Sequence, residues 1–413
     1  MLGMLLERIV ENGTLTVFWP NGKTSVYGNG APRAAVRFID LLTPLQIALQ
    51  PDLAFGEAYM NGRLIVEQGT ITDVLEIVIS NFGMHGLPQS MRFTRHIRRL
   101  FRWIGQFNPA SRSRKNVAHH YDLSGELYDL FLDADRQYSC AYFSEPKMTL
   151  EQAQAAKKRH IMAKLNLDRS GLSVLDIGSG WGGLGLQLAR DAGADVLGVT
   201  LSTEQLALSN RRATEAGLAN HCRFEFRDYR EVTGPFDRIV SVGMFEHVGV
   251  NHYDTFFGKV RDLLAPDGVA LLHSIGRTDG PGATNSWITK YIFPGGYTPA
   301  LSEVMASIER CGLYAADVEI LRLHYAETLK EWRLRFLKNW NKAAALYDQR
   351  FCRMWEFYLS SAEMTFRYDH LVVFQIQLTK GIETLPMTRD YMLDRERAMR
   401  ASPGRSSRTH EAA

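Results

Sequence analysis

The spacing of apolar residues changes character along the chain, and each change predicts an element. Leu15, Val17 and Trp19 alternate with polar residues before Asn21-Gly22, and Val26 follows, which predicts a β-hairpin with a type I′ turn. Ile71 to Ile79 (ITDVLEIVI) has helical spacing and is expected to pack on that hairpin or on Leu41 to Leu49. From about 148 to 320 short apolar runs alternate with amphipathic stretches. Strands are expected at Val174 to Ile177, Ala194 to Val199, Cys222 to Phe226, Phe236 to Val242 and Val269 to His273, with helices at Gly182 to Ala192 and Glu204 to Glu215. Such alternation predicts an α/β fold with a parallel sheet and right-handed crossovers. The chain then turns helical, Glu327 to Trp340 and Leu346 to Met364, with Trp332, Phe336, Trp340, Phe351, Trp355 and Tyr358 read as core. Leu371 to Leu378 is expected as a late strand closing the sheet, and the Ser-, Gly- and Arg-rich end, 401–413, as disordered.

The stretch Val174 to Gly185 (VLDIGSGWGGLG) runs a strand into closely spaced glycines. Glycines in a strand-to-helix turn let a ligand lie against the backbone, so this is the predicted cofactor seat. The order Asp176, Gly178, Gly180, Gly182 resembles the S-adenosylmethionine (SAM) signature of Rossmann-like methyltransferases more than the dinucleotide fingerprint. The next strand ends in Thr200-Leu201-Ser202, without the acid that grips a nicotinamide ribose, which disfavours hydride transfer. In such sheets the ligand lies beyond the carboxyl ends of the strands, which gathers 176–182, 200–205, 228–229, 244–247 and 273–276 around one crevice. Asp228 can accept a hydrogen bond from the adenine amino group, and Tyr229 offers a stacking face.

A length of 413 residues predicts two or three domains, and a hydrophobic fraction of 45% supplies a full core. No apolar run is long enough to span a membrane, and Glu7, Arg8 and Glu11 break up any signal-peptide pattern, so a cytoplasmic location is expected. Cys140, Cys222, Cys311 and Cys352 are scattered without a CxxC pair, which suits reduced thiols and predicts no metal site. The net charge of +3 is small, but between Glu76 and Asp122 there is no acidic residue. Arg92, Arg95, Arg98, Arg99 and Arg102 alternate there with Phe93, Ile97, Leu100, Phe101 and Ile104 at helical spacing. This basic amphipathic segment suits either an anionic bilayer surface or a linker helix with solvated arginines; no nucleic-acid-binding motif accompanies it.

With these residues in view, the chain resembles the cyclopropane-fatty-acyl-phospholipid synthases, a family that includes the mycolic acid cyclopropane synthases. The similarity covers roughly 115 to 380, through HHYDLSGELYDLFLD, YSCAYF, VLDIGSGWGG, GVTLSTEQ, FDRIVSVGMFEHVG, LLHSIG, IFPGG and HYAETL in order. The resemblance implies a Rossmann-like class I SAM methyltransferase sheet with helical lid elements, plus a small α+β N-terminal domain. It implies an accessory lipid, membrane or dimerisation module at 1–90, a basic linker at 91–115 and a catalytic domain at 116–390. SAM binding is implied for Tyr138, Ser139, Gly178, Gly180, Thr200 and Gln205, and a bicarbonate ion for Cys140, Glu246, His273, Ile275 through its backbone, and Tyr325. One departure concerns a cysteine that many relatives carry where this chain has Ala362; Cys352 lies ten positions earlier and reads as structural.

The implied reaction transfers a methylene group to the cis double bond of an unsaturated phospholipid acyl chain, at the inner face of the cell membrane, with a homodimer left open. A double bond is a weak nucleophile, so the reaction needs a dry cavity that presses it against the donor. Tyr291, Phe293, Tyr142 and Phe143 are candidates for stabilising the cation that methyl transfer leaves, part of the aromatic stripe for lining an acyl channel, and His247 for a cap or core packing. Two other enzyme readings keep the fold: a fatty-acid C-methyltransferase that leaves a methyl or methylene branch, and a small-molecule N- or O-methyltransferase that needs no bicarbonate. A non-catalytic lipid-binding protein leaves the glycine turn and the polar cluster without a task.

Overall fold

The computed structural model describes residues 1–85 and 124–401, so the basic linker and the C-terminal tail lie outside the described residues. The chain begins with helix Leu2–Ile9 and three antiparallel strands in the order β1 (Asn12–Phe18), β2 (Thr24–Phe38), β3 (Leu64–Gln68). Leu15 and Val17 point inward while Thr14 and Thr16 stay partly exposed, as the alternation predicts. The turn differs from expectation. Gly22 N donates to Trp19 O and Trp19 N to Lys23 O, which leaves Pro20 and Asn21 as the central residues. Proline cannot take a positive φ, and here Gly22 alone does, at 81°, so the loop is a three-residue turn with a glycine bulge rather than type I′.

Helices Leu42–Leu49, Pro51–Met60 and Ile71–His85 cover this sheet. The last is longer than predicted and is pinned to β1 by the buried Asn81. Its amide oxygen accepts from Glu11 N and Asn12 N at 3.1 and 3.0 Å, and its nitrogen donates to Asn12 O at 2.8 Å. All of the polar capacity of that amide is used inside the module, which fixes the helix against the strand.

The larger sheet has the order β6-β5-β4-β7-β8-β10-β9, formed by β4 (Ser173–Ile177), β5 (Asp195–Thr200), β6 (Cys222–Phe226), β7 (Phe236–Val242), β8 (Leu264–Arg277), β9 (Tyr314–Leu321) and β10 (Leu371–Thr379). β4 pairs in parallel with both β5 and β7. The chain therefore winds outward to one side, returns, and winds to the other, opening a crevice at the carboxyl ends of β4 and β7. Two expectations are corrected here. β10 is not the closing strand: it runs antiparallel between β8 and β9. β9, in a region without a predicted strand, forms the edge, and its burial alternates because it faces solvent on one side.

Helix Leu150–Lys164, which the apolar pattern did not announce, precedes β4 and starts on a capping box between Thr149 and Gln152. Helices His324–Lys338 and Gln349–Tyr368 bury Trp332 and Trp355 together with Trp287 in a core shared with the N-terminal module. The module is docked on Gln349–Tyr368 by polar contacts as well. Tyr59 Oη donates to Glu356 at 2.6 Å, Tyr368 Oη to Glu76 at 2.7 Å, and Arg353 Nε to Met60 O at 3.0 Å. Hydrogen bonds to charged groups contribute about 1.5–3 kcal/mol each, enough to hold the two parts in one arrangement. Among the described residues, no helix is long and apolar enough to cross a membrane.

Candidate functional site

Two cavities meet at the carboxyl ends of the strands. The first, about 170 Å³, lies over the glycine turn. Gly178 and Gly180 have φ of 82° and 54°, and Gly178 N and Ser179 N donate to Val199 O of β5 at 2.9 and 3.1 Å. A Cβ on Gly180 would meet no protein atom within 4 Å, so this backbone is bare toward the cavity. Gly182 is different. It does not line the cavity; it begins helix Gly183–Ala192, and a Cβ there would come within 2.7 Å of Ser209 and 2.8 Å of Phe224. Gly182, expected at the cofactor, thus stands outside the cavity lining and at a helix-packing contact.

Around the turn, Asp176, Thr200, Gln205, Asp228 and Tyr229 line the first cavity as expected. Thr200 Oγ1 donates to Gln205 Oε1 at 2.9 Å, which turns the amide nitrogen of Gln205 away from Thr200. Asp228 is already engaged, accepting from Arg230 N, Nε and Nη2 at 3.0, 2.8 and 2.5 Å, so any adenine contact shares that carboxylate. Asp176 is buried, Oδ2 has no hydrogen-bond partner among the described residues, and burial lifts its carboxyl to about 7 against the opposing pull of Lys157. An orphaned carboxylate oxygen beside bare backbone fits a ligand carrying positive charge.

Lys157 escaped the sequence reading. It sits on helix Leu150–Lys164, lines the cavity at 1% exposure, and donates to Gln137 Oε1 and Ser139 Oγ at 2.6 and 2.8 Å. Burial lowers its ammonium to about 8. A lysine among alanines on a helix gives no sequence signal of burial.

The second cavity is larger, about 410 Å³, and Cys140, Glu246, His273, Ile275 and Tyr325 all line it. Three elements and the loop that carries Cys140 bring them together. Glu246 sits in the 3₁₀ turn Phe245–His247 after β7, His273 and Ile275 on β8, and Tyr325 on helix His324–Lys338. Glu246 Oε1 accepts from Ile275 N at 2.6 Å, while Oε2 lacks a partner among the described residues. Enclosure raises the Glu246 carboxyl to about 7 despite that bond; the surface it keeps faces the cavity. His273 is held neutral by burial, its pKa lowered to about 3. Gln375, directly across from it on β10, places Nε2 3.1 Å from His273 Nδ1, so the ring hydrogen belongs on Nε2. Burial also raises the Cys140 thiol, which donates to Ala141 O at 3.3 Å.

A neutral imidazole N–H, a phenol, a thiol and a carboxyl with an unmatched oxygen fit a small anion. One assigned contact does not: the Ile275 N–H is already occupied by Glu246. Of the proposed cation-stabilising aromatics only Phe293 lines the cavity. Tyr142 is stacked between His160 and His324, at 4.1 and 4.8 Å between centroids. Phe143 N donates to His324, and Tyr291 Oη to Glu57. The aromatic faces actually present include Tyr138, Trp287, Phe357, Tyr358 and Phe366. Within the aromatic stripe Trp355 is core and Tyr358 is cavity wall; Ala362 also lines the cavity, and Cys352 is buried in the core.

Tyr138, Ser139, Gly243 and His247 line both cavities. His247, read from sequence as a cap or packing residue, thus stands at the junction, kept neutral by burial with its pKa near 4. A glycine-floored seat bordered by Asp176, Thr200, Gln205 and Asp228 opens at this point onto a larger, more apolar one.

Known proteins resemble this chain in sequence and fold. Residues 109–376 match the family described as mycolic acid cyclopropane synthetase, and residues 1–85 match a domain family of unknown function. A probable fatty acid methyltransferase of Pseudomonas putida is 43% identical over 67% of this chain and 73% of its own length. The cyclopropane-fatty-acyl-phospholipid synthase of Escherichia coli is 36% identical over 86% of this chain and 90% of its own. The solved structure of mycolic acid cyclopropane synthase CmaA1 complexed with SAH and CTAB superposes with a TM-score of 0.61 at 33% identity, covering 66% of this chain and 99% of that one. Sequence and fold agree over the region that carries the glycine turn and the polar cluster: the chain belongs to the mycolic acid cyclopropane synthetase family of SAM-dependent methyltransferases.

Proposed function

We propose that the protein adds one carbon from SAM to the cis double bond of an unsaturated phospholipid acyl chain and closes a cyclopropane ring. The observation that carries this reading is the junction: Tyr138, Ser139, Gly243 and His247 border the glycine-floored seat and the larger, more apolar slot at once. SAM supplies an electrophilic methyl group, and Tyr138, Ser139, Asp176, Gly178, Gly180, Thr200, Gln205, Asp228 and Tyr229 are the residues proposed to hold it. Bicarbonate supplies a base small enough to work inside the slot, and Cys140, Glu246, His273 and Tyr325 are proposed to hold it, with the Ile275 N–H orienting Glu246. The family names support the reaction type; the ion is supported by the unmatched Glu246 Oε2 beside a neutral His273.

The chain's own groups do the rest. Apolar walls exclude the water that would capture a cation on the acyl chain. The faces of Phe293, Tyr358 and Phe366 offer electron density to that cation. Glu246, its carboxyl raised to about 7, reaches its protonated form near neutral pH and in that form can donate a hydrogen bond to an anion; His273 donates from Nε2. The partner proposed is a membrane phospholipid, met at the cytoplasmic surface of the membrane.

A second reading, a fatty-acid methyltransferase leaving a branch, is favoured by the name of the Pseudomonas putida relative at 43% identity. Expression in cells with unsaturated phospholipids, followed by hydrogenation and mass spectrometry of the fatty acids, separates the two, because a ring survives as a distinct product. Glu246→Gln and Tyr325→Phe are expected to abolish ring formation and leave SAH binding nearly intact. Full activity in both variants contradicts the assigned ion-holding role, and no new fatty acid in the parent contradicts the function.

A further inference from the structure

The second cavity reaches beyond the family's catalytic region. Its wall includes Leu75, Val78, Ile79 and Phe82, one face of helix Ile71–His85, and Pro51 and Phe55 of helix Pro51–Met60. Pro51, Phe55, Val78 and Phe82 also border a third cavity, about 100 Å³, inside the N-terminal module. Its roof is Leu2, Leu5, Leu6 and Ile9, the i, i+3, i+4, i+7 face of helix Leu2–Ile9, and its walls include β1 and β2. Every side chain around it is apolar.

A cavity lined only by hydrocarbon gains dispersion contacts from an apolar occupant and offers nothing to a polar one. Helix Leu2–Ile9 buries none of its own residues, and its apolar face lies over this cavity. Among the polar side chains of the second cavity, Arg277, Asn285, Asp369 and His370 come from other elements and suit an ester or head group, while the N-terminal helices contribute Asp52. Nothing in the third cavity can pair with either. A methyl terminus is the part of a lipid that gains there.

We propose that the third cavity is a subsite for the methyl end of the acyl chain, reached past Phe55 and Phe82, and that the N-terminal module thereby measures chain length. This rests on the second cavity being the acyl slot. Val74 lines the third cavity and not the second, so Val74→Phe fills the subsite without touching the reaction centre. Leu6→Trp fills it from the partly exposed roof, where a larger side chain threatens the fold less.

The test is calorimetric binding of alkyltrimethylammonium ions from dodecyl to octadecyl, with SAH affinity as the check on folding. The parent is expected to gain affinity steadily, by at most about fourfold per methylene. In both variants the gain is expected to stop early, the octadecyl compound binding at least about tenfold more weakly than to the parent and the dodecyl compound within about twofold. Equal losses for long and short chains, or none, overturn the subsite while leaving the acyl slot standing. No binding of any chain by the parent overturns the slot itself, and the subsite with it.

Discussion

Gly180 and Gly182 lie two residues apart in one turn, and replacing each by alanine is expected to have opposite signatures. Both have left-handed backbones, φ of 54° and 82°, where a Cβ costs about 1–2 kcal/mol. At Gly180 nothing in the protein meets the added carbon, so that cost is the whole loss of stability. The methyl group instead projects from the wall of the first cavity and displaces whatever lies there. A steric displacement of about 1–3 kcal/mol corresponds to roughly five- to 150-fold weaker SAH binding. At Gly182 the added carbon comes within 2.7 Å of Ser209 Cβ and 2.8 Å of Phe224 Cζ, both buried. Overpacking of about 1–3 kcal/mol then adds to the backbone strain, for a total of about 2–5 kcal/mol. Urea unfolding gives the stabilities, and calorimetry on the folded fraction gives the SAH dissociation constants. The expected result is a stable Gly180→Ala variant that binds poorly and an unstable Gly182→Ala variant that binds normally. Comparable loss of SAH affinity in both would falsify the separation of a ligand-facing glycine from a packing one.

Glu246→Gln tests the perturbed carboxyl by its pH signature. With a folded pKa of about 7 and an unfolded value of about 4.3, the native state holds the extra proton between them. The parent therefore loses stability as pH rises through that window, by an amount on the order of 3 kcal/mol, and levels off above it. Unfolding free energies at mildly acidic and mildly alkaline pH should show the parent falling relative to the variant; a difference independent of pH rules the perturbation out. Lys157→Met removes the donor to Gln137 and Ser139 and the positive charge beside Asp176. Charged hydrogen bonds contribute about 1.5–3 kcal/mol, so SAH affinity is expected to drop about tenfold or more by calorimetry, and an unchanged constant refutes the positioning role.

Much of the sheet was readable because buried parallel strands are short apolar runs. Val174 to Ile177 and Phe236 to Val242 fell within a residue of their observed bounds for that reason. β9 was not readable, since an edge strand with polar residues on one face looks like any amphipathic stretch, and no local pattern states that β10 slips inside it. The hairpin turn was misassigned because the Asn-Gly pair carries the signal while Pro20, one residue earlier, decides the geometry. At the site, motif residues were legible, but His247 and Lys157 acquire their positions from tertiary packing. Tyr142 and Phe143 show the converse: proximity in sequence to Ser139 and Cys140 did not bring them to the same cavity.

Helix Gln349–Tyr368 has two customers. Arg353, Glu356, Ser360 and Tyr368 grip the N-terminal module, while Phe357, Tyr358, Ala362 and Phe366 form the slot where the hydrocarbon is proposed to react. Grafting a module from another homologue onto this enzyme therefore means transplanting the outward side of that helix too. A chimera joined in the linker alone would disturb the slot from a distance, and its altered lipid preference would trace to a seam rather than to the donor's chemistry.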